Sequence, residues 1–170
     1  MKKIVCLLGS PRINGNSATV AGRFLETAQS LGAETETFVL NRCDFRGCQA
    51  CWSCKTQTDR CAVNDDLTPV LDAVARTDIL LLASPVYFGD VSSQMKAFID
   101  RTYSFLKPDF LNESVPSRLA PGKQLVFVLS QAQPENMFVD IYPKYEFFYQ
   151  MMGFQNNRLI RACQVGEAGE

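Results

Sequence analysis

Five short apolar segments recur along the 170-residue chain and predict the strands of a sheet. Residues 4–8 and 79–83 are apolar throughout, which is typical of strands buried on both faces of a parallel sheet. Residues 34–40 first alternate polar and apolar side chains, so we expect a half-exposed strand at or near an edge of the sheet. Residues 124–129 and 158–165 supply the fourth and fifth predicted strands.

Segments with helical spacing of apolar residues fill the intervals between these strands. Helices are predicted over residues 20–31, 67–74, 92–99 and 135–152. Strand and helix alternate through the whole chain, which predicts one α/β domain, residues 1–170, with a five-stranded parallel sheet and helices on both faces. Such a fold normally ends on a helix, so we expect the final helix to lie outside the supplied sequence or a partner subunit to cover its place.

The loop between the first strand and the first helix, residues 10–17, has the composition of a phosphate site and is called the phosphate loop below. Such a junction directs unpaired backbone N–H groups and the positive end of a helix dipole at one point. Neither Gly-Lys-Ser/Thr nor G-x-G-x-x-G occurs there, so the pattern favours a monophosphate. An ordinary turn capped by Asn16 or Ser17 stays open as the alternative. The candidate ligands are Ser10, Arg12, Asn14, Asn16 and Ser17.

A second loop, after the third predicted strand, carries apolar and aromatic side chains where solvated ones are common. Its residues are Pro85, Val86, Tyr87, Phe88 and Gly89. They suit a flat ring, although Val86, Tyr87 and Phe88 have the alternative role of completing the core. Loops that follow parallel strands share one edge of the sheet, so we expect this loop, the phosphate loop, residues 41–64 and residues 130–133 to face one another. A phosphate loop beside an aromatic loop favours flavin mononucleotide (FMN) as the ligand.

Composition narrows the classes of protein to which the chain can belong. The formal net charge is −1 with acidic and basic residues well mixed, so nothing marks a nucleic-acid surface or an anionic membrane as partner. No apolar run approaches the ~20 residues of a membrane span, and the chain leads directly into a strand, so we expect a cytoplasmic protein. The sequence has no histidine, which excludes His-based acid-base catalysis and Cys2His2 zinc sites.

Most of the seven cysteines lie in one loop, residues 41–64. Thiols in a reducing compartment are more often free or bound to metal than joined in disulfides. Three closely spaced thiolates are the arrangement that bacterial ferredoxins use for an iron–sulfur cluster, whereas zinc loops usually offer two separated pairs. A cluster, free thiols, zinc and a disulfide all stay open at this point. The spacing C-x2-C-x2-C-x6-C is formed by Cys48, Cys51, Cys54 and Cys61.

Three segments together resemble one protein family. They are GSPRINGNS near the N-terminus, the compact cysteine motif followed by NDD, and SPVYFGDVSSQMKAFIDR over residues 84–101. In these segments the chain resembles the flavodoxin-like NAD(P)H-dependent FMN reductases and, within them, the iron–sulfur flavoproteins. The resemblance implies a three-layer sandwich with strand order 2-1-3-4-5. Asp100 and Arg101 match a pair in that family, which we interpret as a structural ion pair or a subunit contact.

The resemblance also implies ligands for these residues. Residues 85–89 and the loop that begins at Ser130 are expected to contact the isoalloxazine ring. Hydride passes directly from the nicotinamide of NAD(P)H to the flavin in that family, so no side-chain acid or base is required. A 4Fe-4S cluster on the four closely spaced cysteines would exchange electrons with FMN. The FMN phosphate is expected to be held by Ser10, Arg12, Asn16 and Ser17.

The expected function is that of an FMN-dependent oxidoreductase, which takes electrons from NAD(P)H and passes them to a small acceptor such as a flavin or a quinone. One alternative is an iron–sulfur flavoprotein that carries electrons between redox proteins with little NAD(P)H activity. Another is a non-redox module that binds a different phosphorylated ligand. The predicted helix over residues 135–152 has aromatic side chains on more than one side, so we expect a homodimer or homotetramer.

Overall fold

Six strands form the sheet within residues 1–167, the part of the chain that the computed structural model describes. They are β1 (Lys3–Leu8), β2 (Glu34–Val39), β3 (Ile79–Tyr87), β4 (Asp90–Val91), β5 (Gln124–Ser130) and β6 (Arg158–Ala162). Five of them are parallel, in the order β2-β1-β3-β5-β6, whereas β4 pairs antiparallel with the end of β3. When the parallel strands are numbered by themselves, this is the predicted order 2-1-3-4-5, so the flavodoxin-like fold is confirmed.

Helices cover both faces of this sheet. They are α1 (Asn16–Ser30), α2 (Ser53–Thr56), α3 (Leu67–Arg76), α4 (Ser93–Arg101) and α5 (Ile141–Met151), with 3-10 turns at Leu40–Arg42 and Thr102–Phe105. Ala21 of α1 belongs to the core on one face, whereas Val70, Phe98 and Tyr145 carry α3, α4 and α5 into the core on the other. Of the helices that the structure describes, none is long and apolar enough to span a bilayer.

The central strand β3 is buried on both faces, as its apolar sequence predicts. Leu80 and Leu82 belong to the core beneath α3, α4 and α5, whereas Leu81 and Ala83 belong to the core beneath α1. All four side chains are fully buried, because successive residues of a strand point to opposite faces and helices cover each face. Strand β2 lies at the edge of the sheet and is half exposed, which confirms the prediction from its alternating pattern.

The helix predicted over residues 135–152 is shorter in the structure, where α5 begins at Ile141. The preceding residues form turns. Arg161 donates hydrogen bonds to the carbonyl oxygens of Glu135 and Met137 at 2.8 and 2.6 Å, respectively. In a longer helix, these carbonyl oxygens would accept hydrogen bonds from backbone N–H groups of the helix itself. A side chain distant in sequence therefore overrides the local helical pattern.

The final helix is expected to lie outside the supplied sequence, or its place to be covered by a partner subunit, and this stays a prediction. Residues 163–167 contain no helix, and residues 168–170 lie outside the described part. The backbone N–H of Val165 donates to the carbonyl oxygen of Gln131 at 3.1 Å, so the segment after β6 lies against the end of β5.

We expect the substitution Gly9→Ala to destabilise the protein. A Cβ at this position would lie 2.9 Å from both Met95 Cβ and Ser92 Oγ, closer than real Cβ contacts. Overpacking of this kind lowers the free energy of unfolding by about 1–3 kcal/mol, which urea denaturation would measure.

The matched control is Gly22→Ala within α1, because a Cβ at Gly22 meets nothing within 4 Å. Alanine in a helix interior should raise the free energy of unfolding by about 0.4–1 kcal/mol. A Gly9→Ala variant as stable as the wild type would contradict the close approach of Gly9 to α4.

Candidate functional site

A cavity of about 250 Å³, called the edge cavity below, opens where β1, β3 and β5 end. The strand order reverses between β1 and β3, and ligands of open α/β sheets bind at such a point. The phosphate loop, the end of β3 and the residues after β5 meet here as the sequence predicts. The cavity is lined by Ser10, Arg12, Gly15, Asn16, Ser17, Pro85, Val86, Tyr87, Ser130, Gln131, Ala132, Val165 and Gly166.

The phosphate loop is held in a tight turn by its own hydrogen bonds. The backbone N–H of Arg12 donates to Ser10 Oγ at 3.0 Å, and that of Gly15 donates to the carbonyl oxygen of Arg12 at 3.2 Å. Ser10 and Ser17 are buried. Gly15 is the N-cap of α1, so neither Asn16 nor Ser17 holds the N-cap position. The first turn of α1 lines the cavity, which brings its N–H groups and the positive end of its dipole there.

The apolar loop predicted after β3 divides into two parts. Pro85, Val86 and Tyr87 continue β3 and line the edge cavity. Phe88 and Gly89 do not line it, because they form the two-residue tip of the hairpin that joins β3 to β4, with φ of +50° and +86°. The side chain of Phe88 is fully exposed. Val86 packs partly against the core, so the core alternative describes one of the three residues proposed for it.

Asn14 is exposed and does not line the edge cavity. The structure therefore brings together most, not all, of the predicted cofactor residues. Those in the cavity lining are Ser10, Arg12, Asn16, Ser17, Pro85, Val86, Tyr87 and Ser130.

Gln131 is a lining residue that the sequence reasoning left out of its candidates. Its side chain is buried, and its Nε2 donates to the carbonyl oxygens of Gln133 and Pro134 at 3.1 and 2.8 Å. Its Oε1 accepts a hydrogen bond from Arg161 at 2.8 Å. The amide thus shapes the loop after β5, but a glutamine in a polar loop carries no sequence signal for this role.

The C-terminal segment also reaches the edge cavity, which the sequence did not predict. Val165 and Gly166 line it, and Asn16 Nδ2 donates to the carbonyl oxygen of Glu167 at 2.7 Å. These residues are distant in sequence from the phosphate loop, and only the return of the chain after β6 brings them there.

Two buried serines connect the phosphate loop to the end of β3. The hydroxyl of Ser92 donates to the carbonyl oxygen of Gly9 at 2.6 Å, and its backbone N–H donates to Ser84 Oγ at 2.9 Å. Ser84 in turn donates to the carbonyl oxygen of Pro85 at 2.8 Å. Ser92 also caps α4 by accepting the N–H of Met95, which confirms the predicted start of that helix. The two loops of the edge cavity therefore keep one relative position.

The four closely spaced cysteines line a second cavity of about 140 Å³, called the cysteine cavity below. It shares no lining residue with the edge cavity, so the prediction that the cysteine loop faces the other three loops is not met. The last residues of α4, Asp100 and Arg101, line the cysteine cavity. At the other end of this helix, which spans about 13 Å, Ser92 bonds the residues that precede the two loops of the edge cavity. Besides Cys48, Cys51, Cys54 and Cys61, the lining includes Trp52, Asp100, Arg101 and Tyr103.

Arg101 holds the cysteine loop at the far end of α4. Its guanidinium is fully buried and donates to Asp65 at 2.8 and 3.2 Å and to the carbonyl oxygens of Arg46 and Val63, each at 2.8 Å. Arg101 is thus a structural ion-pair residue, as expected, but its partner is Asp65. Asp100 instead forms an exposed ion pair with Lys96 at 2.6 Å.

The thiols of the cysteine cavity lie close enough to influence one another. Burial raises the pKa of the Cys54 thiol, Lys55 lowers it, and the neighbouring thiolates of Cys61, Cys48 and Cys51 raise it again. Hydrogen bonds from Ser53 lower the pKa of Cys51.

The arrangement of the four cysteines around one cavity bears on the kind of metal group that they fit. Within residues 1–167, no group of three or more cysteine or acidic side chains is close enough to hold one metal ion. A tetrahedral zinc site would bring its sulfur atoms to about 3.8 Å from one another, given Zn–S bonds of ~2.3 Å. An iron–sulfur cluster binds each thiolate through a different iron, so it suits thiols that surround a cavity without converging on one point.

Three buried or half-buried cations surround the cysteine cavity. Lys55 Nζ donates to the carbonyl oxygen of Tyr103 at 2.7 Å, and Arg118 donates to that of Cys54 at 3.0 Å. Arg101 borders the cavity itself. Asp65 neutralises Arg101, but carbonyl oxygens do not neutralise Lys55 and Arg118, so the remaining positive potential favours thiolates and an anionic cluster. The donor set and its surroundings therefore fit an iron–sulfur cluster.

The remaining cysteines lie outside this cavity. Cys6 is fully buried in β1, and burial raises the pKa of its thiol to about 12, so it stays protonated and unreactive. Cys6 is therefore a small residue of the core beneath α1. Cys163 is half buried after β6, and Cys43 is half buried beside β2.

The strand order, the phosphate loop at the reversal point and the apolar end of β3 define a flavodoxin-like nucleotide-binding protein. The chain belongs more specifically to the NADPH-dependent FMN reductase family, whose model matches residues 2–133. The resemblance seen in the sequence is thus confirmed.

Curated relatives and solved structures agree with this family. An iron-sulfur flavoprotein of Methanosarcina thermophila is 33% identical over 121 residues, which are 71% of this chain and 63% of that protein. A second one, of Methanocaldococcus jannaschii, is 35% identical over 100 residues, 59% of this chain and 51% of that protein. The chain therefore spans between half and two thirds of the length of these relatives.

The fold is also similar to that of an FMN-dependent NADH-azoreductase from Bacillus anthracis, solved in complex with FMN. The TM-score is 0.73 at 13% identity, and the match covers 96% of this chain and 88% of that one. At this identity the similarity supports the fold.

We expect Asp65→Asn to lower the free energy of unfolding by about 3 kcal/mol at pH 7, because it leaves the buried Arg101 cation without its counter-charge. Burial raises the pKa of Asp65, but hydrogen bonds from Arg101 and from the backbone of Arg46 and Leu67 outweigh it and hold the pKa below its usual value. The ionised form is therefore the stabilising one. The difference between variant and wild type should start to shrink near pH ~4, where Asp65 of the unfolded chain takes up a proton, and should vanish below the lower pKa of Asp65 in the folded protein.

Urea denaturation of both proteins between pH 7 and pH 2 measures this difference. Asp100→Asn is the matched control, because its ion pair with Lys96 is exposed and should contribute about 0.5 kcal/mol or less. Equal losses in the two variants would contradict the special role of the buried pair.

Proposed function

We propose that this chain is the FMN-binding domain of an oxidoreductase that takes electrons from NAD(P)H and passes them to a small acceptor such as a flavin or a quinone. The observation that carries the proposal is the meeting of the phosphate loop and the end of β3 in one cavity at the reversal of strand order. Membership of the NADPH-dependent FMN reductase family supports it.

The FMN phosphate is assigned to the phosphate loop. Ser10, Asn16 and Ser17 lie in the cavity lining with the first turn of α1, and Arg12 supplies a positive charge. The isoalloxazine ring is assigned to Pro85, Val86, Tyr87 and Ser130, at the opposite side of the same cavity. Asn14, Phe88 and Gly89 are left out of this assignment, because they do not line the cavity.

Bound FMN supplies a ring that accepts a hydride from the nicotinamide. The protein's own residues bind the phosphate, hold the ring at the end of β3 and keep the two binding loops in register through Ser84 and Ser92. Arg12 and Tyr87 are the titratable side chains in the lining, and neither is needed as an acid or a base for direct hydride transfer.

The experiment is a triple substitution, Ser10→Ala with Asn16→Ala and Ser17→Ala. Each removes a donor to an anionic phosphate, and such a hydrogen bond contributes roughly 1.5–3 kcal/mol, so the dissociation constant for FMN should rise about 100-fold or more. Titration of FMN fluorescence measures it, and circular dichroism checks the fold. Asn14→Ala is the control and should bind FMN as the wild type does. Undiminished FMN affinity in the triple variant would overturn the proposal.

An electron carrier that serves protein partners is the second candidate, and the cysteine cavity favours it. Steady-state oxidation of NAD(P)H by the FMN-loaded protein distinguishes the two. Turnover with a free flavin or a quinone as acceptor supports the oxidoreductase. Negligible oxidation of NAD(P)H, together with rapid reduction of the FMN-loaded protein by a small redox protein, would support the electron carrier.

We further propose that Cys48, Cys51, Cys54 and Cys61 hold a 4Fe-4S cluster, which would exchange electrons with FMN. Their spacing, their common cavity and the surrounding cations support this, as do the names of the curated relatives. We expect about four iron and four sulfide per chain after anaerobic purification.

Cys54→Ser should lose most of that iron, because a ligand from the centre of the motif is removed. Cys43→Ser is the control and should keep it, since Cys43 lies outside the cysteine cavity and bonds the carbonyl oxygen of Val39 at 3.6 Å. Full iron content in Cys54→Ser, or equal loss in both variants, would contradict the assignment.

We also propose a homodimer or homotetramer whose interface includes α5. Phe147 and Phe148 on this helix are exposed by 59% and 48%, and their rings contact each other with centroids 5.3 Å apart. Light scattering at micromolar concentration should show more than one chain per particle of the wild-type protein. The double variant Phe147→Ser with Phe148→Ser should be a monomer.

Leu31→Ser is the control for this substitution. Leu31 is equally apolar and 82% exposed, but it lies at the end of α1, on the other face of the sheet. A monomeric wild type would contradict the proposed assembly.

A further inference from the structure

One N–H group of Arg101 has no partner although it is buried. The two terminal nitrogens donate to Asp65 and to the carbonyl oxygens of Arg46 and Val63, as described above. Nε has no hydrogen-bond acceptor, and the side chain as a whole is 0% exposed. A buried donor without a partner costs about 1–3 kcal/mol, so such groups are rare and call for an explanation.

The position of this donor indicates what it binds. Among the described residues, the buried side-chain groups without a partner are Arg101 Nε, Tyr149 OH and Arg161 Nε. Only Arg101 belongs to the lining of the cysteine cavity. Cys61 belongs to the same lining. Burial lowers the pKa of Arg101, whereas Asp65 and the Cys61 thiolate raise it, so the Cys61 sulfur lies beside the guanidinium. The one carboxylate in the lining, Asp100, already accepts a hydrogen bond from Lys96.

We propose that Arg101 Nε donates a hydrogen bond to the Cys61 sulfur when that sulfur binds the cluster, and that this bond raises the reduction potential of the cluster. The inference rests on the proposed function, specifically on the assignment of a 4Fe-4S cluster to the cysteine cavity. Arg101 is thus a positioning residue, which acts on the cluster through the ligand Cys61.

The effect on the potential follows from charge. One-electron reduction adds one negative charge to the cluster and its thiolates and removes no other charge. A hydrogen-bond donor on a fixed cation stabilises the more negative state more strongly, and hydrogen bonds to sulfur are among the factors that set such potentials. Arginine stays protonated throughout the accessible pH range, so the effect does not depend on its titration.

The other two cations near the cavity are already engaged. Lys55 Nζ donates to the carbonyl oxygens of Tyr103 and Leu106, and Arg118 donates to those of Leu106 and Cys54. Both side chains contribute positive charge. Among the described residues, neither has a buried donor that lacks a partner. Arg101 is also held in place by Asp65, so it cannot turn away from the cavity without breaking that ion pair.

The test compares Arg101→Lys with Asp65→Asn in protein loaded with FMN and cluster. Lysine keeps a positive charge and places a methylene where Nε stands, so it removes the proposed donor. It also lacks the two terminal nitrogens that bind Asp65 and the carbonyl oxygens of Arg46 and Val63, so a second variant must disturb that ion pair and keep Nε. Asp65→Asn disturbs the same buried ion pair and leaves Nε intact. Both variants are destabilised, which urea denaturation verifies, but they should differ in the redox titration of the cluster followed by electron paramagnetic resonance.

In Arg101→Lys, the ratio of reduced to oxidised cluster at a fixed potential should fall about tenfold, which corresponds to ~59 mV for one electron. In Asp65→Asn the ratio should stay the same or rise, because a negative charge near the cluster is removed. An unchanged ratio in Arg101→Lys with four iron per chain would overturn the inference and leave the proposed function intact. An equal fall in both variants would also overturn it. A wild type that takes up no cluster would overturn the cluster assignment itself, and this inference with it.

A second measurement needs no variant. Wild-type protein labelled with 15N only in the arginine guanidinium groups should show a nitrogen coupling in the electron–nuclear double resonance spectrum of the reduced cluster. Absence of this coupling would overturn the inference even if Arg101→Lys fails to fold. Where that variant folds, loss of the coupling in it identifies Arg101 as the source.

Discussion

Buried hydrogen bonds at the two ends of α4 position both cavities. At the first turn, Ser92 joins the carbonyl oxygen of Gly9 to the hydroxyl of Ser84, so the phosphate loop and the end of β3 cannot move independently. At the last residue, Arg101 binds Asp65 and two carbonyl oxygens of the cysteine loop. The helix, about 13 Å long, therefore connects the hydrogen bonds that hold the loops of the edge cavity to those that hold the cysteine loop.

The two ends of this helix use different chemistry, and each suits its neighbouring cavity. The contacts near the phosphate loop are neutral hydroxyl and amide hydrogen bonds, which leave the helix dipole of α1 and Arg12 as the sources of positive potential there. The contacts near the cysteines involve full charges: the half-buried carboxylate of Asp65 pairs with Arg101, and the cations of Lys55 and Arg118 are in excess. A set of thiolates or an anionic cluster is stabilised by that excess.

Local pattern was sufficient for the sheet and for the two loops that meet at its edge. The apolar run of β3 and the alternation in β2 each follow from how many faces of the strand are buried. The local pattern was insufficient for Phe88. This residue is aromatic like its neighbour Tyr87, but it lies at the tip of a hairpin. The two-residue antiparallel strand β4 that creates this hairpin is too short for any periodicity to reveal it.

The sequence by itself determined the order of strands and helices, the flavodoxin-like family, the phosphate loop and the cysteine motif, because these depend on local spacing and composition. Only the tertiary structure decided where the cysteine loop lies, where α5 begins and which residues complete the edge cavity. These depend on buried side chains such as Arg101, Arg161 and Gln131, whose hydrogen-bond partners are distant in sequence. A donor's partners follow from which segments the packed sheet brings together, and no periodicity along the chain encodes that.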